Sequence, residues 1–359
     1  MSAIPRFTRA LALSMIAGAG CDLLKRAEAD LDPAGCTTCR ITVTPVLQLD
    51  FTEAPALPDP ASIVTLDANH ERFAVLASGS RTAFMVFDAD GRFLQTVGIG
   101  GDGPDEFGRI DDIVFDATDS LWVFDGGNAR ADVYGPDLVR VRSVPLDGPL
   151  HGVIALDDGT LAIFGGGATL EGLPYRARLL HRDGTIEPFA PAGSDRALGE
   201  QGVIGAAGPA AVWLTALHEY AVERWSTRST RQSVITRAPA WFTPPDPVLI
   251  SKYAEVMDAR PAILDVIEDA AGRLWVIAGV LDAKAPDPTT ASGRTDVNID
   301  EYFDTIIEIV DADSATLVTS ARFDFSPPAF LRDGLFYRFV IDMMGTPGIE
   351  ITRITMQEF

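Results

Sequence analysis

Basic residues are scarce in this chain of 359 residues: 29 Lys and Arg stand against 51 Asp and Glu, a formal net charge of −22. An acidic surface of this size favours solubility and repels nucleic acid and anionic membrane surfaces, so no nucleic-acid partner is expected. The acidity reads as a solvated exterior, with selection of a cationic ligand as the sharper alternative. Histidine is rare as well, with four in the chain. His70, His151, His181 and His218 are scattered without metal-site spacing and read as isolated surface or packing side chains. There is no G-x-S-x-G elbow to carry a serine nucleophile, and no DxDxDG loop to carry calcium. Beyond the first twenty residues no segment is long and apolar enough to cross a bilayer as a helix. What is plentiful is Gly (32), Pro (24) and hydrophobic residues (47%), the composition of many short strands and turns around a large core.

The first twenty residues read as a targeting segment. Arg6 and Arg9 form a positive start without acids, and Ala10 to Gly20 is a short apolar stretch. Gly18-Ala19-Gly20 then precede Cys21, and the whole resembles a bacterial lipoprotein signal, with Gly18 where that class prefers Leu. The resemblance implies removal of residues 1–20, lipidation of Cys21, and a place in the bacterial cell envelope, periplasmic or at the cell surface. Membrane contact would then be through the lipid anchor alone. Ordinary cleaved secretion and an uncleaved anchor are the alternatives. The chain has three cysteines. With Cys21 acylated, Cys36-Thr-Thr-Cys39 is left as a pair for a small disulfide in an oxidising compartment. The pair is followed by a strand-like run, Arg40-Ile41-Thr42-Val43-Thr44, rather than a thioredoxin-type helix, and by Arg40 rather than the His of a haem site. Residues 21–40 read as a tether, and 41–359 as one domain.

Apolar runs carrying β-branched and aromatic residues recur through that domain. Phe73 to Leu76, Leu121 to Phe124, Leu161 to Phe164, Val212 to Leu214 and Leu274 to Ile277 are examples, and most follow a polar turn. Further strands end in hairpin signals such as Asp88-Ala89-Asp90-Gly91 and Arg182-Asp183-Gly184. The repeat is degenerate, and divides into blades at 61–98, 105–148, 149–192, 200–238, 261–325 and 329–359. The last is one strand short, and the unassigned strand Ile41 to Phe51 is expected to complete it and close the ring. The reading is an all-β, six-bladed propeller, with five or seven blades as alternatives. Two insertions break the pattern. Segment 239–260 reads as a Pro-rich turn and a short helix over 247–259; segment 281–304 is polar, with a helical turn near 298–303.

One stretch carries a family resemblance: Gly101-x-Gly103-Pro104-x-Glu106-Phe107, Asp116, Leu121-Trp122-Val123-x-Asp125, Asn128-x-Arg130 and Val133-Tyr134. It resembles the blade of NHL-repeat propellers, and with the leader it resembles envelope lipoproteins of that fold. The resemblance implies architecture, with the Asp and Asn holding turns and the aromatics packing between blades. It assigns no chemistry.

The chemical candidates are few. Gly98-x-Gly100-x-x-Gly103 matches a dinucleotide fingerprint by letter, but Pro104 to Phe107 leads into a strand instead of the helix that signature needs. Asp102, Asp105, Glu106, Asp111 and Asp112 form the densest acidic cluster, and Asp111 and Asp112 are the weak candidates for a calcium ligand. No cofactor is otherwise implied. Asp125, Asn128 and Arg130 read as a hydrogen-bonded turn. Trp122, Trp213 and Trp275 share one strand position and read as inter-blade core, with a ring of sugar-stacking platforms as the alternative. The expected function is a lipid-anchored binding module for a protein, peptide or glycan. The alternative is a propeller hydrolase or lyase with a central-channel site, calcium-dependent or not.

Overall fold

The computed structural model describes residues 35–59, 62–146, 148, 150–165, 169–170, 173–191, 202–206, 211–242, 261–282, 284–285 and 302–359. The leader, Cys21 and most of the tether lie outside these residues. So do the expected helix over 247–259 and most of the 281–304 insertion.

Six sheets of antiparallel strands are arranged around an axis. Blade 1 comprises Ile63–Leu66, Arg72–Leu76, Phe84–Asp88 and Phe93–Val97; blade 2 comprises Ile110–Phe115, Leu121–Asp125, Arg130–Tyr134 and Arg140–Pro145. Blade 3 comprises Gly152–Ala155, Leu161–Phe164, Leu173–Leu180 and Ile186–Pro191, with the two-residue strand Thr169–Leu170 folded back on it. Blade 4 comprises Gly202–Ala206, Ala211–Ala216, Ala221–Ser226 and Thr230–Thr236. Blade 5 comprises Ala262–Glu268, Arg273–Leu281, Phe303–Asp311 and Leu317–Phe323. Blade 6 takes three strands from the C-terminal end, Ala329–Arg332, Leu335–Ile341 and Pro347–Glu358, and its outermost strand is Cys39–Gln48. The chain is thus a six-bladed propeller closed by its N-terminal strand.

The first strand of each blade lies innermost, beside its counterparts in the two neighbouring blades. These six inner strands form the wall of a central channel. The second strands are apolar through most of their length because each blade is packed on both faces. Side chains alternate across a strand, so Leu121 and Val123 enter the core between blades 1 and 2, while Trp122 and Phe124 enter the core between blades 2 and 3. One such buried cluster fills each of the six interfaces between blades. Close approach sets one glycine: a Cβ on Gly205, in the inner strand of blade 4, would meet the Val266 carbonyl oxygen of blade 5 at 1.7 Å.

Polar groups fasten the blades as well. All five tryptophans give their indole N–H to a carboxylate: Trp122 to Asp116, Trp213 to Glu268, Trp225 to Glu223, Trp241 to Glu308 and Trp275 to Asp269, at 2.8–3.1 Å. Much of the acidity also serves turns. Asp67, Asp116 and Asp269 occupy the same turn between first and second strands, each accepting backbone N–H groups from the residues that follow.

Candidate functional site

The channel holds a large concavity, a cavity of about 1110 Å³ walled by the inner strands. Two carboxyls of its wall stand at equivalent places. Asp112 in Ile110-Asp111-Asp112-Ile113 and Asp265 in Ile263-Leu264-Asp265-Val266 each follow a β-bulge in the inner strand. They belong to blades 2 and 5, opposite one another in a ring of six. Asp112 accepts the Ile113 N–H at 2.8 Å, and the backbone N–H of Val153 in blade 3 further favours its anion. Asp265 accepts the Val266 N–H at 2.8 Å and the Phe330 N–H of blade 6 at 2.7 Å. Each carboxyl thereby links its own inner strand to that of the next blade.

Both are half-buried, enclosed by protein yet facing the cavity. Burial pushes each up to about 7, against the backbone donors that favour the anion and, for Asp112, against Arg81. Tyr337 of blade 6 also lines the cavity. Its phenol is raised by burial and further by the charges of Asp112 and Asp265, which places the three groups in one electrostatic neighbourhood. Leu264, the bulged residue beside Asp265, is 44% exposed and presents apolar surface to the cavity.

The sequence candidates are thus dispersed. Asp111 and Asp112 are adjacent in the chain but have different partners: Asp111 forms an ion pair with Arg109 at 2.7 Å, while Asp112 faces the channel. Asp105 accepts the Tyr134 hydroxyl at 2.9 Å, and Glu106 accepts the Gly103 N–H at 2.8 Å. The acidic cluster of the sequence therefore mainly holds its own loop. Asp125 accepts the Arg109 and Asn128 N–H groups at 3.0 and 3.2 Å, Asn128 donates to Asp125 and to the Gly101 carbonyl, and Arg130 donates to the carbonyls of Asp102, Gly103 and Glu106. The glycine loop is pinned to blade 2 in this way. The GxGxxG letters fall on a short parallel pairing of Ile99–Gly100 with Glu106–Phe107, where no helix N-terminus awaits a phosphate.

Cys36 and Cys39 are joined, with Cα atoms 5.4 Å apart. Cys21 lies outside the described residues. The histidines do not converge: His70 contacts Asp333, His181 contacts Glu187, His218 contacts the Pro261 carbonyl, and His151 stands alone among them at the channel. Trp122, Trp213 and Trp275 are buried (1%, 0% and 8% exposed), with their indole N–H groups already bonded, so they pack between blades and offer no stacking platform. Asp265 and Tyr337 are the channel groups that sequence reasoning missed. The signal was the shared Ile-x-Asp followed by Ile or Val at the start of two blades.

A family described as a 6-bladed beta-propeller (DUF5128) matches residues 61–165, which span blades 1 and 2 and the first half of blade 3. No curated protein matches the chain. Among solved structures, a member of the DUF4221 family from Bacteroides vulgatus superposes with a TM-score of 0.58 at 9% identity, over 89% of this chain and 99% of that one. A Bacteroides fragilis protein described as exported gives a TM-score of 0.54 at 12% identity, over 90% and 97%. Virginiamycin B lyase from Staphylococcus aureus is more distant, with a TM-score of 0.49 at 11% identity over 88% and 100%. At these identities the two Bacteroides superpositions support the fold alone.

Proposed function

We propose that this protein is a lipid-anchored propeller of the bacterial envelope that binds a protein, peptide or glycan at its central channel. The observation that carries the reading is the use the channel makes of its own acids. Asp112 and Asp265 both spend carboxylate oxygens on backbone amides of their own and the next blade, so they hold the wall in shape. The cavity they frame is open and offers apolar surface at Leu264. Envelope location is supported by the leader with Arg6, Arg9 and Cys21, and by the fold likeness to a protein described as exported. The hydrogen bonds of Asp125, Asn128 and Arg130 support an NHL-type blade.

One observation favours a second reading. Two carboxyls that take up a proton near neutrality share a cavity with a tyrosine, an arrangement suited to acid–base work in a propeller hydrolase or lyase. A single comparison separates the two. Wild-type protein, Leu264→Arg and Asp112→Asn are screened on peptide and glycan arrays and against ester and lactone substrates. Binding predicts a ligand whose affinity falls by at least ~10-fold in Leu264→Arg, about 1.4 kcal/mol or more, with no change in melting temperature and no turnover by wild type. Turnover that Asp112→Asn abolishes in a folded protein would replace the binding reading with the enzyme. The anchor is tested separately: Cys21→Ala should move the protein from the membrane to the soluble fraction, and unchanged fractionation rules lipidation out.

A further inference from the structure

The insertion of blade 5 leaves its sheet at Asp282, after Arg273–Leu281, and returns to it at Asp304, in Phe303–Asp311. Asp324 follows the outermost strand, Leu317–Phe323. Because neighbouring strands are antiparallel, these three positions share one edge of the blade. Their carboxylate oxygens lie within 4.8 Å of one another, the one such group of three among the described residues. This is a different place from Asp111 and Asp112, and none of the three lines the channel.

The buried member of the cluster carries an orphan oxygen. Asp304 is 7% exposed. Its Oδ2 accepts the Arg322 Nε–H at 2.6 Å, but its Oδ1 is buried with no hydrogen-bond partner. A buried carboxylate oxygen without a donor is costly, and two further carboxylates beside it make it more so. Among the described residues Arg322 is the one cation paired with Asp304, which leaves an excess of negative charge there. A cation coordinated by Oδ1 would satisfy the orphan and offset that excess together.

We propose that Asp282, Asp304 and Asp324 form a calcium site that fastens the base of the insertion to the outer strand of blade 5. The ligands are all hard oxygens, which select Ca²⁺ or Mg²⁺ over the softer transition metals. Two oxygens bound to one ion at 2.3–2.6 Å can stand up to about 5 Å apart across it, whereas Mg²⁺ at 2.0–2.1 Å requires about 4.2 Å or less. Separations bounded by 4.8 Å lie within the span open to calcium, and the flexible coordination of Ca²⁺ accepts an irregular set of carboxylates that the near-ideal octahedron of Mg²⁺ does not. Water completes the coordination, and a site with so few protein ligands belongs at the weak end of calcium affinities. The proposal stands independently of what the channel binds.

Chelator-stripped wild-type protein is titrated with calcium and with magnesium by calorimetry, and melting is followed in each. The expected result is one Ca²⁺ per chain with a Kd on the order of 10⁻⁴–10⁻³ M. Melting should rise by about 2–5 °C in 10 mM calcium, with a smaller response to magnesium. The double variant Asp282→Asn/Asp324→Asn changes only side chains that reach solvent, and is expected to fold and to lose at least ~10-fold in calcium affinity along with the melting shift. Absence of calcium binding by the folded wild-type protein, or a calcium response that the double variant keeps, overturns the site.

Discussion

Glu308→Ala is expected to lower the unfolding free energy by about 3–5 kcal/mol, the cost of breaking a buried ion pair from one side. Glu308 is fully buried in the third strand of blade 5. Its carboxylate accepts the Tyr220 hydroxyl at 2.6 Å, the Arg237 Nε–H at 3.1 Å and the Trp241 indole N–H at 3.1 Å. All three donors come from blade 4 and the chain leaving it, so one side chain ties two blades. Around it Tyr220, Trp241 and Phe242 meet edge to face, with centroids 5.3–6.1 Å apart. Alanine would take the carboxylate from Arg237, leave two further buried donors without their acceptor, and open a void beneath the ring cluster. Glu308→Gln keeps the volume but turns an amide nitrogen toward one of the donors, and is expected to cost roughly half as much. Arg92→Ala, which removes a cation 71% exposed and paired at the surface with Asp90, should cost under about 1 kcal/mol. Denaturant unfolding of the three variants checks the order. If Glu308→Ala costs no more than Arg92→Ala, the carboxylate does not join the blades.

The blades were legible because a strand packed on both faces leaves a strong signal: a short apolar run after a polar turn, repeated. Leu121 to Phe124 and Leu274 to Ile277 were read as strands on that pattern and lie in Leu121–Asp125 and Arg273–Leu281. The closing strand was legible for a different reason, since Ile41 to Phe51 had no blade of its own and the last blade lacked a strand. The extra hairpin at Thr169–Leu170 was not read, because two residues carry no period.

The site was far less legible. Acid in this chain is spent on turns and on indoles, so a cluster of carboxylates in the sequence does not mark chemistry. Asp102 to Asp112 looked dense, yet its members face a local loop, a surface arginine and the channel separately. The residues that do come together are far apart in the chain. Asp112, Asp265 and Tyr337 meet because three inner or near-inner strands converge on the axis. Asp282, Asp304 and Asp324 meet because three strand ends share one edge. Both arrangements follow from blade geometry, which fixes neighbours 20 residues apart (Asp304 and Asp324) to 225 apart (Asp112 and Tyr337), and a lone Asp in an apolar strand gives no local hint of either.

Ring closure leads to the second large effect: a chain starting at residue 52 is expected to lose cooperative unfolding and to associate through its sheet edge. The missing strand, Cys39–Gln48, pairs with Pro347–Glu358 from Cys39 opposite Glu358 to Gln48 opposite Glu350. It also reaches beyond blade 6. Gly35 and Cys36 donate backbone N–H groups to Leu317 and Val318 of blade 5, and Asp50 donates to Gly91 of blade 1. Ile41 and Val43 fill the core between blades 5 and 6, and Leu49 and Phe51 that between blades 6 and 1. Truncation therefore unseats two of the six interfaces. A large-to-small change at one buried leucine already costs about 2–5 kcal/mol, and a whole domain holds only about 5–15 kcal/mol. Leu49→Ala should accordingly be folded but weakened, while the truncated chain should not melt cooperatively. Its unpaired Pro347–Glu358 edge is a template for pairing with another copy, which size-exclusion chromatography would show as large species. Proline has a telling place here: Pro45 sits at the β-bulge of the closing strand, tolerable because that strand is the outermost of its blade. A peptide of residues 35–51 added to the truncated chain should restore a monomeric, cooperatively melting protein, because the edge it leaves is complementary to that peptide. A truncated chain that stays monomeric and melts within a few degrees of wild type would mean that the ring does not depend on this strand.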